Sequence, residues 1–222
     1  MPHNEPYETR PVQVVGIGAS AGGLEAFTRL LAQLPADTGL AFVLVQHLDP
    51  DHRSHLPEIL SRATKMSVET ATDGALLTPN HIYVAPPHVT IAVFAGRLHV
   101  TPRTKTDVPF LPIDSFFRSL AQECHDSAIG VVLSGSGSDG TAGLAAIKVA
   151  GGLTIAQEPA SAQFKAMPEA AVTGGVDFVL TPENIGAKLS TTLVLPAVST
   201  TPPPSPTGER SEVATFPASV AA

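Results

Sequence analysis

The sequence predicts one α/β domain on a largely parallel sheet, with a β-hairpin inserted midway. Three observations predict it. Apolar, β-branched runs alternate with segments of helical period from about Val12 to Leu195, the pattern of successive βαβ units. Two strand-to-helix junctions, Gly16 to Gly23 and Gly135 to Gly143, are rich in glycine. Between them lie three short strand-like runs, punctuated by Pro86-Pro87 and Gly96-Arg97. A chain of 222 residues is long enough for one sizeable core and short for two.

The elements follow in order. Val12 to Ile17 reads as the first strand. From Ser20 to Leu34, the residues Leu24, Phe27, Leu30, Leu31 and Leu34 share one helical face, and Pro35 supplies the stop. Leu40 to Gln46 (LAFVLVQ) is almost continuously apolar, as for a strand buried on both faces. A helix is expected over His55 to Thr64. The runs His81 to Ala85, Val89 to Phe94 and Leu98 to Thr101 suggest the hairpin insertion. A helix at Ile113 to Glu123 leads into a strand at Ala128 to Leu133, then a helix from Thr141 to Ala150 closed by Gly151-Gly152. Leu153 to Gln157, Pro168 to Val172, Val176 to Leu180 and Pro182 to Leu193 read as strand, helix, strand, helix. Pro168 suits the first turn of its helix, where the missing N–H costs nothing. The domain is thus expected over 11–195. A polar tail (1–10) precedes it, and a Pro, Ser, Thr and Ala-rich tail or linker (196–222), too poor in apolar surface to pack, follows.

Composition removes several function classes. The formal net charge is −7 and no Lys/Arg cluster appears, so a surface that tracks nucleic-acid phosphates is not expected. Tryptophan is absent and aromatics are 5%, which leaves little for base stacking. No apolar run approaches the roughly 18 residues of a membrane-spanning helix, so direct membrane insertion is not expected. Met1 to Arg10 is polar, without the apolar core of a secretory signal, and the lone Cys124 can form no internal disulfide. Both features point to the cytoplasm.

The first glycine turn, VVGIGASAGGLEAF, holds Gly18-Ala19-Ser20-Ala21-Gly22, a match to the G-x-S-x-G nucleophile elbow. A serine on a sharp strand-to-helix turn projects its hydroxyl above the sheet, and the helix amides behind it face a developing oxyanion. The same letters fit G-x-G-x-x-A (Gly16, Gly18, Ala21), a dinucleotide-binding variant, and Ser20 also suits a plain helix cap. The turn alone leaves all three open. A dinucleotide site wants an acidic residue near the end of the second strand. That strand instead runs into Gln46-His47, with Asp49 and Asp51 beyond. An imidazole titrates near neutrality, so it can take the serine proton and return it to a leaving alkoxide.

His47, Asp49, Asp51, His52 and His55 are also possible metal ligands, but His52-x-x-His55 lacks the H-E-x-x-H spacing, and no metal is expected. The third feature is Ser134-Gly135-Ser136-Gly137-Ser138-Asp139-Gly140-Thr141, after the strand AIGVVL. Asp139 can orient the histidine, or it can cap the helix that starts near Thr141. Serine, histidine and aspartate all fall at expected C-terminal strand ends, where one crevice can gather them.

These motifs resemble the CheB family, the catalytic domains of chemotaxis protein-glutamate methylesterases. The matching segments are GIGASAGGLEAF, VLVQHLDP, IYVAPPHVTI, PIDSFF (Pro112 to Phe117), VVLSGSGSDGTAG, and AQEP followed by AMPEAA, spanning about Val12 to Leu189. The resemblance implies a doubly wound, mainly parallel fold, with Ser20 as nucleophile, His47 as base and Asp139 as the residue that orients it. It implies hydrolysis of glutamate methyl esters on chemoreceptors, deamidation of receptor glutamine, and no cofactor. It also implies oxyanion donors in the backbone near Ala21 and Ser136. Here Ser136 stands in place of the family's methionine, and Ala21 stands where many relatives carry threonine. With the domain beginning near Val12, a preceding receiver domain is not expected. The chain is more similar to the branch joined to a CheR-type methyltransferase, which becomes an expected partner. A partner-binding module with a vestigial triad is the alternative.

Overall fold

The computed structural model describes residues 12–47, 55–103 and 111–191. The expected tails over 1–10 and 196–222 lie outside the described residues. Strands and helices run in the order β1 (Val14–Ala19), α1 (Gly23–Leu31), β2 (Ala41–Gln46), α2 (Leu56–Leu60), β3 (Ser67–Thr70), β4 (His81–Val84), β5 (Val89–Phe94) and β6 (Arg97–Pro102). Then come α3 (Pro112–Cys124), β7 (Ile129–Val132), α4 (Thr141–Val149), β8 (Leu153–Gln157), α5 (Ala166–Thr173), β9 (Phe178–Leu180) and α6 (Pro182–Thr191).

Seven strands form one sheet in the order β3-β4-β2-β1-β7-β8-β9, with every neighbouring pair parallel. Helices cover both faces, so the sheet is doubly wound. On one face, Val15, Ile17 and Ala19 of β1 pack with Phe27, Leu30 and Leu31 of α1, Leu56 and Leu60 of α2, and Ile185 and Leu189 of α6. On the other, Val43 and Val45 of β2 pack with Phe116, Phe117 and Leu120 of α3, Leu144 and Ile147 of α4, and Met167 of α5. Phe27 is fully buried, and truncating such a ring to alanine costs about 3–5 kcal/mol.

The hairpin β5-β6 is a separate antiparallel pair, with Val89 opposite Pro102 and Phe94 opposite Arg97. It docks on α3, where the Ser119 hydroxyl accepts the Val93 N–H at 3.1 Å. The run His81–Val84, expected beside the hairpin strands, instead joins the main sheet between β3 and β2. Strand β3 was not expected. Its four residues, Ser67–Thr70, are exposed or half-buried at the sheet edge and carry no apolar run to betray them.

Two glycines of β1 explain how α3 approaches the sheet. A Cβ on Gly16 would lie 2.8 Å from the Phe116 ring, and one on Gly18 would collide with Ile113. Bare backbone at these alternate positions lets α3 lie directly on β1, which brings its first turn to the C-terminal edge of the sheet. Among the described residues, no helix is long and apolar enough to cross a membrane.

Candidate active site

Strand order reverses around β1, whose neighbours β2 and β7, both later in the chain, lie on its opposite sides in the sheet. Crevices open at such switch points, outside the carboxyl ends of the strands. Ser20 directly follows β1, His47 directly follows β2, and the loop after β7 carries Ser134 to Asp139. Parallel register pairs Ala19 with Gln46, and the His47 N–H donates to the Ala19 carbonyl at 3.3 Å. Serine and histidine are therefore set side by side by the sheet itself.

The side chains complete the line. Ser20 Oγ lies 3.2 Å from His47 Nδ1, and His47 Nε2 lies 2.8 Å from Asp139 Oδ2. A carboxylate only accepts, so Nε2 carries the proton and Nδ1 is left to accept from the serine hydroxyl, a tautomer assigned by the network. The histidine side chain is 31% exposed and the aspartate side chain 2%. The imidazole is open to solvent while the carboxylate it meets is not.

Ser20 is not the helix cap. The cap of α1 is Gly22, in a left-handed conformation (φ 74°) with no side-chain hydrogen bond. The helix expected from Ser20 thus starts at Gly23, and residues 20–22 form the elbow. A side chain at Gly22 would be strained by that φ, and its Cβ would lie 2.6 Å from Ser134 Oγ. The dinucleotide reading also loses its glycines. Gly16 and Gly18 lie within β1 and serve the approach of α3.

Asp139 is not the cap of α4 either. That position belongs to Gly140, again without a side-chain bond. The Asp139 carboxylate turns instead to the start of α3, accepting the Ile113 N–H at 3.0 Å and the Asp114 N–H at 2.9 Å.

A second set of contacts holds the turn at Ser20. The Ser20 N–H donates to the Ser134 carbonyl at 3.0 Å, so this amide is occupied. Ser134 Oγ donates to the Ala21 carbonyl at 2.8 Å and accepts the Phe164 N–H at 3.0 Å. The buried Gln157 accepts the Ser134 N–H at 2.8 Å and donates to the Ser161 carbonyl at 3.0 Å. Ala21 is half-buried behind the serine, and Ser136 is exposed on the loop between Ser134 and Asp139. Asp114, Ser134 and Gln157 carry no role legible in the sequence, although each lies in a segment that resembles the family.

An open cavity of about 680 Å³ lies over Ser20, walled by Leu24, Thr28, His47, Ile59 and Gln163. A smaller one of about 300 Å³ lies between His47, Pro86, Pro87, His88 and Pro112. His47 borders both. Asp49, Asp51 and His52 of the possible ligand cluster lie outside the described residues. Among the described residues, no three His, Cys, Asp or Glu side chains converge as metal ligands.

Comparison with known proteins bears on the fold and the family. A solved structure, the CheB methylesterase catalytic domain of Thermotoga maritima, superposes with a TM-score of 0.73 at 28% identity, covering 80% of this chain and 97% of that one. The protein-glutamate methylesterase/protein-glutamine glutaminase of group 3 operon from Rhizobium meliloti (strain 1021) is 35% identical over 190 residues, 83% of this chain and 53% of its own length. A protein-glutamate methylesterase/protein-glutamine glutaminase of Yersinia pestis bv. Antiqua (strain Antiqua) is 36% identical over 184 residues, 80% of this chain and 52% of its own. The chain thus spans about half the length of the curated relatives it matches. The family model described as CheB methylesterase matches residues 15–189, and the chain belongs to the CheB methylesterase family.

Proposed function

We propose that this chain hydrolyses glutamate methyl esters on chemoreceptors, with Ser20 as nucleophile, His47 as general base and acid, and Asp139 as the group that orients the base. The observation that carries the reading is the unbroken line from Ser20 Oγ to His47 Nδ1 at 3.2 Å and from His47 Nε2 to Asp139 at 2.8 Å. Ser20 Oγ attacks the ester carbonyl carbon while its proton passes to Nδ1. The tetrahedral oxyanion is met by backbone amides, with Ala21 and Ser136 the proposed donors, and each such donor contributes about 10²–10³ in rate. The intermediate collapses, the C–OMe bond breaks, and Nδ1–H gives its proton to the departing methoxide to form methanol. Water then attacks the acyl-serine, its proton goes to Nδ1, and glutamate and free Ser20 are released. Glutamine is deamidated by the same steps, with ammonia leaving in place of methanol.

No metal or organic cofactor enters this chemistry. The cavity over Ser20 suits a side chain presented by another protein, because Leu24 and Ile59 on its wall are exposed and apolar. The setting we propose is the bacterial cytoplasm, in chemotaxis-like signalling, with a CheR-type methyltransferase as the partner that makes the esters. The test is methanol release from a methyl-labelled receptor. Wild type is expected to release methanol and Ser20→Ala to release none above background. Equal release by both would overturn the assignment.

A further inference from the structure

Helices α3 and α4 begin side by side, and each lacks a side-chain hydrogen bond from its own cap, Leu111 in one case and Gly140 in the other. The first amides of a helix have no partners within it, and burying them unpaired is costly. Here the two starts satisfy each other crosswise. Asp139, one residue before the α4 cap, accepts the Ile113 and Asp114 amides of α3. In return, the Asp114 carboxylate in the first turn of α3 accepts the Gly143 N–H in the first turn of α4, at 2.6 Å. The approach is close. A Cβ on Gly143 would lie 2.5 Å from that of Phe117 and 3.1 Å from the Asp114 backbone.

This clasp places the orienting acid of the triad. Asp139 Oδ2 faces His47 and the Ile113 amide together, while Oδ1 is held by the Asp114 amide. Any slip of the α4 start relative to α3 rotates this carboxylate away from the imidazole. Asp114 opposes that slip. It is 8% exposed, and burial pushes its carboxyl above the ordinary range while the Gly143 amide works against that shift. Toward α4 it serves as the hydrogen-bond acceptor of the Gly143 amide, a contact that an uncharged amide oxygen can also make.

We propose that Asp114 is a positioning residue for catalysis, acting through Asp139 by tying the start of α4 to the start of α3. This rests on the triad reading above.

The test compares Asp114→Ala and Asp114→Asn in the full chain by kcat and KM for methanol release and by the low-field proton resonance of His47 Nε2–H. Asp114→Ala is expected to lower kcat about 10- to 100-fold, the scale of a small misplacement of a reacting group, with KM nearly unchanged. The resonance should shift or broaden. Asp114→Asn, which keeps an acceptor for Gly143, should restore both. If Asp114→Ala is not recovered folded, Asp114→Glu, one methylene too long for the contact, is scored by the same two readouts. A variant that unfolds more easily yet keeps the wild-type kcat and resonance would overturn the proposal, as would failure of Asn to restore them. The resonance belongs to the resting protein. A failure of the hydrolase reading would therefore show separately, as no Ser20-dependent turnover in wild type.

Discussion

The amide of Ser20 donates to the carbonyl of Ser134 at 3.0 Å, so the two glycine-rich turns are joined at Ser20 itself. The Ser134 hydroxyl adds bonds to the Ala21 carbonyl and the Phe164 amide. One small side chain thus holds the elbow to the neighbouring loop and to the segment before α5.

Replacing Ser134 with alanine leaves the Phe164 amide without its partner. Such a loss costs about 1–3 kcal/mol, so the urea midpoint of Ser134→Ala should fall measurably. Turnover should fall with it, since the elbow loses the Ala21 contact. An unchanged midpoint would show that water replaces the hydroxyl at no cost.

Gly135 tests the packing behind the nucleophile. A Cβ there would collide with the Met167 sulfur and lie 2.9 Å from the Ser20 Cβ. Gly135→Ala should cost about 1–3 kcal/mol in stability by overpacking. It should also lower kcat more than KM changes, because the displaced atom is adjacent to the attacking oxygen. Wild-type kcat in this variant would mean that Met167 alone absorbs the strain.

Asp139→Asn separates orientation from capping. An asparagine can keep its oxygen toward the Asp114 amide, but the group that faces His47 also faces the Ile113 amide, which is left unpaired, so unfolding should cost about 1–3 kcal/mol, far less than the loss of turnover. Its NH2 group then faces His47 Nε2, which must accept, and the ring proton moves to Nδ1. That nitrogen can no longer take the serine proton, and kcat should fall by about 10³–10⁴. Circular dichroism with methanol-release kinetics decides it. Retained turnover would reduce Asp139 to a cap for α3.

The pair Arg29–Glu183 ties α1 to α6 with contacts of 2.6 and 3.2 Å. Its hydrogen bond from Arg29 pulls the Glu183 carboxyl from an ordinary 4.5 down to about 2. The folded value lies below the unfolded one. The stabilisation is therefore fully present above about 4.5 and is lost as pH falls toward about 2. Both side chains are a third or more exposed, so solvent screening limits the pair to about 0.5–1 kcal/mol. The unfolding free energies of wild type and Glu183→Gln should differ by that amount at neutral pH and converge near pH 2. A gap that persists in acid would point to lost packing.

Much of this was legible in the residues. Leu24, Phe27, Leu30, Leu31 and Leu34 marked α1 by period, and the run from Leu40 to Gln46 marked β2 by continuous apolarity, because burial imposes both patterns. β3 carries no such pattern, as a short edge strand held by backbone bonds needs none. Ser20, His47 and Asp139 were legible as candidates, Ser20 from its turn motif and the other two chiefly from the family resemblance. Their supports were not. Asp139 reads as a cap for its own helix and Asp114 as one more residue of α3, and only the packing of α3 on Gly16 and Gly18 of β1 brings the two helix starts close enough to exchange partners. For the same reason the two glycines that resembled a dinucleotide turn serve packing, a distinction no local spacing contains.

The central claim, that His47 activates Ser20, is tested most directly by reaction with a fluorophosphonate, followed by intact mass and peptide mapping. The account predicts one equivalent of label, on Ser20, formed at least about 100-fold more slowly in His47→Ala, the low end of general-base effects. The unfolding temperature of that variant should stay close to wild type, since the ring is partly exposed. Label on another residue, or labelling of Ser20 at the same rate without His47, would contradict it.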